Sequence, residues 1–233
     1  VPGLSRYRFN GWQTAKMGEL ADPARSPTSV TMDENKTVTA TYVVQCLVTF
    51  NQTGINSDFI GTIVTIDGAD FNFTTLPSVF YWDNNTIHSF DFKSPLVVTP
   101  NTKRYLWTTT TGLSTNQAQT IAITDFGNIT GDYRVQYYLT VGTSPPGIAV
   151  IPGEGWYNES ASVALTAPSV LNYNFDHWIV NSVPQGTGTN PIILTMNTAY
   201  NALANYNPIT PYILAIITTS GGTTNPAPGT YTY

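Results

Sequence analysis

Pro2, Tyr7, Phe9 and Trp12 recur in identical register 166 positions later, as Pro168, Tyr173, Phe175 and Trp178. The copies stay matched downstream, because Met32 to Tyr42 and Met196 to Tyr206 both span ten residues. Only the segment between tryptophan and methionine changes length, twenty residues against eighteen, which marks it as a loop between conserved elements of the repeat. Self-similarity at fixed spacing identifies modules strung along a chain. What an array of such modules does is therefore a question that precedes any search for a catalytic centre.

The local pattern is that of strands. Residues 37–42, 62–66 and 162–166 alternate and are rich in β-branched side chains, which suit a pleated, half-buried surface. Asp67-Gly68, Thr111-Gly112, Pro145-Pro146-Gly147, Pro152-Gly153 and Ser220-Gly221-Gly222 supply the fixed or positive φ that tight turns need. Helical periodicity is absent. The expected fold class is all-β, built of tandem small β-sandwich modules of immunoglobulin-like kind with no substantial helix. The expected boundaries are 1–43 for the back part of a repeat module and 44–135 for an immunoglobulin-like sandwich. Residues 136–207 then form a complete repeat module, and 208–233 the opening strands of a further one. In that last segment Tyr212-Ile213-Leu214 echoes Tyr138-Leu139-Thr140, and Pro228-Gly229 echoes Pro152-Gly153.

Aligning Tyr233 with Tyr157, the tail stops about nine residues short of where the head begins, so the chain reads as one period of roughly 242 residues of a longer array. Two arrangements follow. The chain is a window on a longer protein, or its tail completes the half-module at the head of a neighbouring molecule. The first is favoured, because the second leaves each joint lacking one strand.

Composition removes several function classes. With 41% hydrophobic and 12% aromatic residues the chain can bury cores. Charged residues are only 10%, against roughly 25% in an average soluble domain, and Thr, Asn, Gln and Ser take their place on the surface. A net charge of −5 gives no basic footprint for phosphate contacts, so nucleic acid is not an expected partner. No run of eighteen apolar residues marks a transmembrane segment. The start, Val1-Pro2-Gly3, is neither an initiator methionine nor a signal peptide and reads as a mature or excised internal portion. The single cysteine, Cys46, alternates with Val44, Val48 and Phe50 on one strand face and is expected to be a buried thiol. Six Asn-x-Ser/Thr sequons, at Asn35, Asn51, Asn72, Asn84, Asn128 and Asn158, are candidate N-glycosylation sites of a secreted protein.

Catalytic parts are scarce. His88 and His177 lie in different modules without neighbouring ligands, and read as surface or hydrogen-bonded side chains. No nucleophile elbow, phosphate loop or metalloprotease motif is present, so neither catalytic nor cofactor-binding residues are assigned. Asp67 and Asp70 could hold calcium, but their spacing also suits a hairpin turn, which is preferred. Asp58, Asp83, Asp91, Asp125 and Asp132 are scattered through one module, where loop aspartates usually serve turns. An intramolecular Lys-to-Asn bond needs a buried lysine near a carboxylate, and its candidates, Lys36, Lys93 and Lys103, all read as exposed. Trp12, Trp178, Phe175, Trp156, Tyr138 and Tyr206 read as core. An exposed row of Tyr81, Trp82, Tyr105 and Trp107 would favour sugar stacking, and burial of the same rings a structural role.

The strings Tyr7-Arg8-Phe9-Asn10-Gly11-Trp12, Pro27-Thr28-Ser29-Val30-Thr31-Met32-Asp33 and Thr37-Val38-Thr39-Ala40-Thr41-Tyr42 resemble the divergent internalin B-type repeat of bacterial and archaeal surface proteins. The second copy matches more fully, with Tyr138-Leu139-Thr140-Val141, Pro152-Gly153-Glu154-Gly155-Trp156-Tyr157, Phe175-Asp176-His177-Trp178 and Asn190-Pro191-Ile192-Ile193-Leu194-Thr195-Met196. His177 departs from the usual glycine, and 197–201 lacks the acidic turn of Asp33-Glu34-Asn35; both are expected at loop or exposed positions. The resemblance implies extracellular, tandemly arrayed β modules that act as spacers or adhesive units without an enzymatic centre. The middle segment resembles the immunoglobulin-like domains of archaeal surface proteins in architecture only. The expected function is a segment or subunit of a surface filament, sheath or surface-layer array that associates with further copies. An adhesin or a carbohydrate-binding region of a larger secreted protein is the alternative.

Overall fold

The structure, a computed structural model, describes residues 5–232, and the matches at Pro2 and Tyr233 lie outside that range. Among the described residues there is no helix, so none is long and apolar enough to cross a membrane. The chain divides into two compact units at Gln136/Tyr137.

The first unit holds β1 (Ser5–Thr14), β2 (Val38–Thr53), β3 (Val64–Ile66), β4 (Ala69–Phe71), β5 (Ser78–Asp83), β6 (Ile87–Phe92), β7 (Leu96–Thr99), β8 (Lys103–Gly112), β9 (Ala118–Ala122) and the first part of β10 (Gly127–Ser144). β2 is the spine. It pairs antiparallel with β1 and β5, and its residues 48–53 pair parallel with 127–132 of β10. A separate four-stranded layer runs β4-β3-β6-β9. Between the layers lie Val48, Phe50, Ile63, Val64, Phe92, Tyr105 and Ile129, all at 0–1% exposure. Phe50 sits at the centre, edge to face with Phe80, Trp82 and Phe90 at 5.7–5.9 Å. Burying aromatic rings at these angles adds to the plain transfer of their area from water.

The second unit holds the end of β10, then β11 (Gly155–Asn158), β12 (Ser162–Leu165), β13 (Tyr173–Val180), β14 (Val183–Pro184), β15 (Ile192–Thr195), β16 (Tyr200–Pro208), β17 (Ile213–Ile216) and β18 (Gly229–Thr232). Its main sheet runs β10-β16-β13-β14, β12 pairs with β15, and Leu139, Leu165, Trp178, Met196, Ala202 and Ala204 fill the core at 0% exposure. β17 and β18 form a hairpin apart from this sheet.

Local chemistry explains the punctuation. Asp67 (φ 47°) and Gly68 (φ 81°) close the two-residue link between Ile66 and Ala69, the left-handed pair that a tight hairpin requires. Gly112, Gly147, Gly153 and Gly221, read from the sequence as turn residues, all have positive φ. The alternation at Val44 is interrupted: Cys46, Val48 and Phe50 are buried, but Val44 is 36% exposed and Gln45 is buried instead. β2 runs unbroken through 43/44 and β10 through 135/136, so no linker stands at either place.

Candidate functional site

Two antiparallel strand pairs carry the repeated aromatics. In β1/β2, Phe9 faces Tyr42 and Trp12 faces Ala40; in β13/β16, Phe175 faces Tyr206 and Trp178 faces Ala204. Both ladders shift register at the same point, between Phe9 and Gly11 and between Phe175 and His177. The rings repeat as well. Phe9 lies 5.5 Å from Trp12 and 5.8 Å from Tyr42, and Phe175 lies 6.1 Å from Trp178 and 5.7 Å from Tyr206.

The bulge is Asn10-Gly11 in one copy and Asp176-His177 in the other. Gly11 has φ +135°, and a Cβ there would sit 3.0 Å from the Pro23 carbonyl that accepts the Trp12 amide at 2.7 Å. His177 makes the corresponding bulge without a positive φ and therefore carries a side chain. It lies within a strand, half-buried, with Nδ1 3.0 Å from Asp176 Oδ2, and not in the loop expected from sequence.

Burial separates the copies. Trp178, Met196 and Tyr206 are 0–3% exposed, whereas Met32 and Tyr42 are 68% and 58% exposed and Trp12 is half-buried. The cause is the covering strand. In the second unit, 139–144 of β10 lies parallel along β16 on the edge opposite β13, and Leu139 is driven to 0% exposure. In the first unit β1 occupies the equivalent edge of β2, and β5 enters the opposite edge only from Gln45. Residues 38–43 consequently have a bare edge among the described residues. Beside it Trp12, Leu20, Thr28, Val30 and Val38 line an open apolar groove of about 160 Å³.

Polar groups join β1 to the sandwich. Arg6 Nε donates to buried Gln45 Oε1 at 2.7 Å, Gln45 Nε2 donates to Asp83 Oδ1 at 2.7 Å, and Arg8 forms an ion pair with Asp83. Arg6 also lies 3.7 Å over the Tyr81 ring. Side-chain reach across strands, invisible in the sequence, creates this clamp.

Lys36 corrects an expectation of exposure. Its side chain is only 5% exposed, with Nζ 2.7 Å from Asp33 Oδ1 and 2.9 Å from Glu19 Oε1. Hydrogen bonds to those two carboxylates raise its pKa to about 12 and lower theirs. An ammonium held charged in this way is not an amine nucleophile, so the arrangement is an ion triad. Lys103 is also shielded, at 19% exposure, with Nζ 2.7 Å from Asp58 Oδ2. Lys93 is 40% exposed beside Asp91.

The remaining candidates have separate partners. Asp67 Oδ2 lies 2.7 Å from His88 Nδ1, and the His88 ring stacks on Trp82 at 3.7 Å. Asp70 accepts from Thr65 at 2.7 Å and from Thr62 at 3.2 Å. Asp125 accepts the Phe126 amide at 2.8 Å, and Asp132 accepts from Thr53. Among the described residues no group of three or more His, Cys, Asp or Glu side chains could hold a metal ion. Tyr105 is fully buried, its hydroxyl donating to Asp58 at 2.6 Å, and Trp82 and Trp107 pack on the core. The four rings Tyr81, Trp82, Tyr105 and Trp107 therefore do not form an exposed row. Among the sequons, Asn35, Asn84, Asn128 and Asn158 are exposed, whereas Asn51 and Asn72 are half-buried.

Residues 5–45 and 139–210 match the family described as the divergent InlB B-repeat domain, and the repeat that the aromatic residues mark is the one that this family describes. Such modules occur in surface and secreted proteins, and the family is a repeat-domain type and not an enzymatic one. No curated protein and no solved structure matches the chain.

Proposed function

We propose that the chain is a segment of an extracellular structural protein, a surface filament, sheath or surface-layer array whose tandem β modules hold a fixed spacing. The observation that carries this reading is the recurrence of one bulged aromatic strand pair in the same register in both units. Its side chains build cores and strand contacts, and the titratable groups nearby are engaged in ion pairs, one ion triad and hydrogen bonds. A surface dominated by Thr and Asn stays hydrated with few charges for pH to alter. Further copies of the chain, and glycans on exposed sequons, are the partners this reading takes.

Electron microscopy of the native material tests it: filaments or a lattice with an axial repeat on the scale of the module array are expected, and dispersed single particles would sink it. The competing reading, an adhesin or carbohydrate-binding region, is disfavoured by the burial of Tyr105 and the packing of Trp82 and Trp107 on the core. Binding of the chain to a polysaccharide array, abolished by a Trp107→Ala variant that still folds, would reverse that preference.

A further inference from the structure

We infer that the core of the second unit is a binding site for one resident water, which bridges Trp178 Nε1 and Thr143 Oγ1 over the methyl group of Ala204. The water takes the place of the loop carbonyl that serves the equivalent indole in the first unit.

Both atoms are buried without a hydrogen-bond partner from the protein, in residues that are 0% and 6% exposed. They stand in one row across the sheet. Thr143 on β10 pairs with Ala204 on β16, and Ala204 pairs in turn with Trp178 on β13, so the three side chains leave the same face. Leu139 and Val141, which alternate with Thr143, pack into the core on that face. Neighbouring strands lie about 4.8 Å apart, which sets the outer two backbones of the row about 9.6 Å apart. The side chains shorten that gap from both ends, and Ala204 between them contributes only a methyl group. One water spans about 5.6 Å between the two atoms it bonds, the sum of two ordinary hydrogen bonds.

The repeat requires neither orphan. In the first unit Trp12 Nε1 donates to the Arg25 carbonyl at 3.1 Å. The matching loop of the second unit is two residues shorter and is fastened elsewhere. Asn190 Oδ1 accepts the Ala167 amide and Asn190 Nδ2 donates to the Ala167 carbonyl, both at 2.9 Å. No loop carbonyl then serves Trp178 Nε1. On the other side of the row, Tyr212-Ile213-Leu214 echoes Tyr138-Leu139-Thr140, which sets Ile217 at the step of Thr143. An aliphatic side chain suits that step, so a hydroxyl sunk there calls for a partner of its own.

The donor set selects water. An indole only donates, whereas a hydroxyl both donates and accepts. The water oxygen accepts the Nε1 proton and one water proton goes to Thr143 Oγ1, which makes two of the two to four hydrogen bonds that buried waters take. A metal ion would find no lone pair on the indole nitrogen. The water returns only part of what burying the two groups without a protein partner costs, because it is itself held still. Its bridge runs from β10 to β13 across β16, and so fastens the covering strand 139–144 to the interior of the module.

The test reads contacts between water and the indole proton by nuclear magnetic resonance, on the full chain labelled at the tryptophan nitrogens. Trp178→Phe identifies the resonance. The expected result is a cross-peak from Trp178 Hε1 to water with the sign of a long-lived contact. Thr143→Val keeps the shape and removes the hydroxyl, and should weaken that peak about tenfold or more, whereas Thr143→Ser should retain it. Ala204→Ser sets a hydroxyl in the path of the water and should also remove the peak. Trp12 Hε1, already bonded to a carbonyl, should be unchanged in every variant. Absence of the contact in the parent overturns the inference, and so does a peak that survives in Thr143→Val or Ala204→Ser. Loss of the peak in a folded Thr143→Ser overturns it as well. If Thr143→Val fails to fold, Ala204→Ser and Thr143→Ser decide.

Discussion

Trp12 and Trp178 stand opposite Ala40 and Ala204 at the same step of the same bulged ladder, yet Trp178 is fully buried and Trp12 is half exposed. One strand makes the difference. The segment 139–144 covers β16, and the corresponding edge of β2 is bare among the described residues.

Trp178→Ala should destabilise the second unit by about 3–5 kcal/mol, the usual cost of an indole-sized cavity. Trp12→Ala should cost under about 2 kcal/mol, because much less apolar area leaves water at a half-exposed site. Trp178 Nε1 is buried without a hydrogen-bond partner. Trp178→Phe therefore removes an unsatisfied donor, whose burial costs about 1–3 kcal/mol, and should be much milder than the alanine variant. Urea unfolding of the three variants decides, and a Trp178→Ala midpoint equal to that of the parent would contradict the core assignment.

The Lys36 triad should make the 16–36 loop sensitive at both ends of the pH scale. Hydrogen bonds to Asp33 and Glu19 raise the lysine to about 12 from 10.5, so its contribution is full below 10.5 and fades as pH rises through about 12. Asp33 and Glu19 are lowered by their hydrogen bonds to Lys36, so their contributions are full above the ordinary carboxylate range and fade on acidification. Trp12 Nε1 donates to the Arg25 carbonyl at 3.1 Å, so its indole proton resonance reports on the loop. That resonance should broaden at low and at very high pH and hold steady between. In Lys36→Met the two carboxylates lose the partner that lowers them most, so the loop should already be loosened at neutral pH and its dependence on acid should weaken.

Tyr133 is, like Tyr105, a buried phenol of the first unit, its hydroxyl donating to the Lys93 carbonyl at 2.9 Å and lying 3.4 Å from that of Ile63. Burial pushes its pKa well above the ordinary 10. Stability from the neutral phenol is thus full below pH 10 and is lost as pH climbs toward the raised value. Tyr133→Phe should cost about 1–3 kcal/mol at neutral pH by stranding the carbonyls, and should flatten the alkaline decline. Thermal melts of both proteins from pH 7 to 11 measure this.

In a host that attaches N-glycans, occupancy should follow exposure. Peptides with Asn35, Asn84, Asn128 or Asn158 should carry glycan, and the peptide with Asn51, half-buried in β2 and opposite Thr130, should not. Peptide mass mapping settles it, and full occupancy at Asn51 would show that the sandwich is modified before it closes.

The repeat, the strand class, the turn glycines and the core position of Trp178 were legible in the sequence because each is a local or periodic signal. Period-two alternation and fixed aromatic spacing come directly from which side chains a strand sends inward. The Lys36 ion triad was not legible, since Glu19 and Asp33 reach Lys36 only after the loop closes. The clamp of Arg6, Gln45 and Asp83 was equally hidden, because β1, β2 and β5 are brought together by pairing. Whether Tyr81, Trp82, Tyr105 and Trp107 form an exposed row or pack inward was left open for the same reason: spacing along β5 and β8 does not say which face a second layer covers.

By itself, then, the order of residues determined that this protein is a string of β units marked by a duplicated aromatic pattern. Tertiary structure alone decided that one copy is sealed and that, among the described residues, the other has an unpaired edge at 38–43. Whether a given edge is covered depends on which strands from elsewhere in the chain, or from another chain, arrive beside it, and no local pattern encodes that.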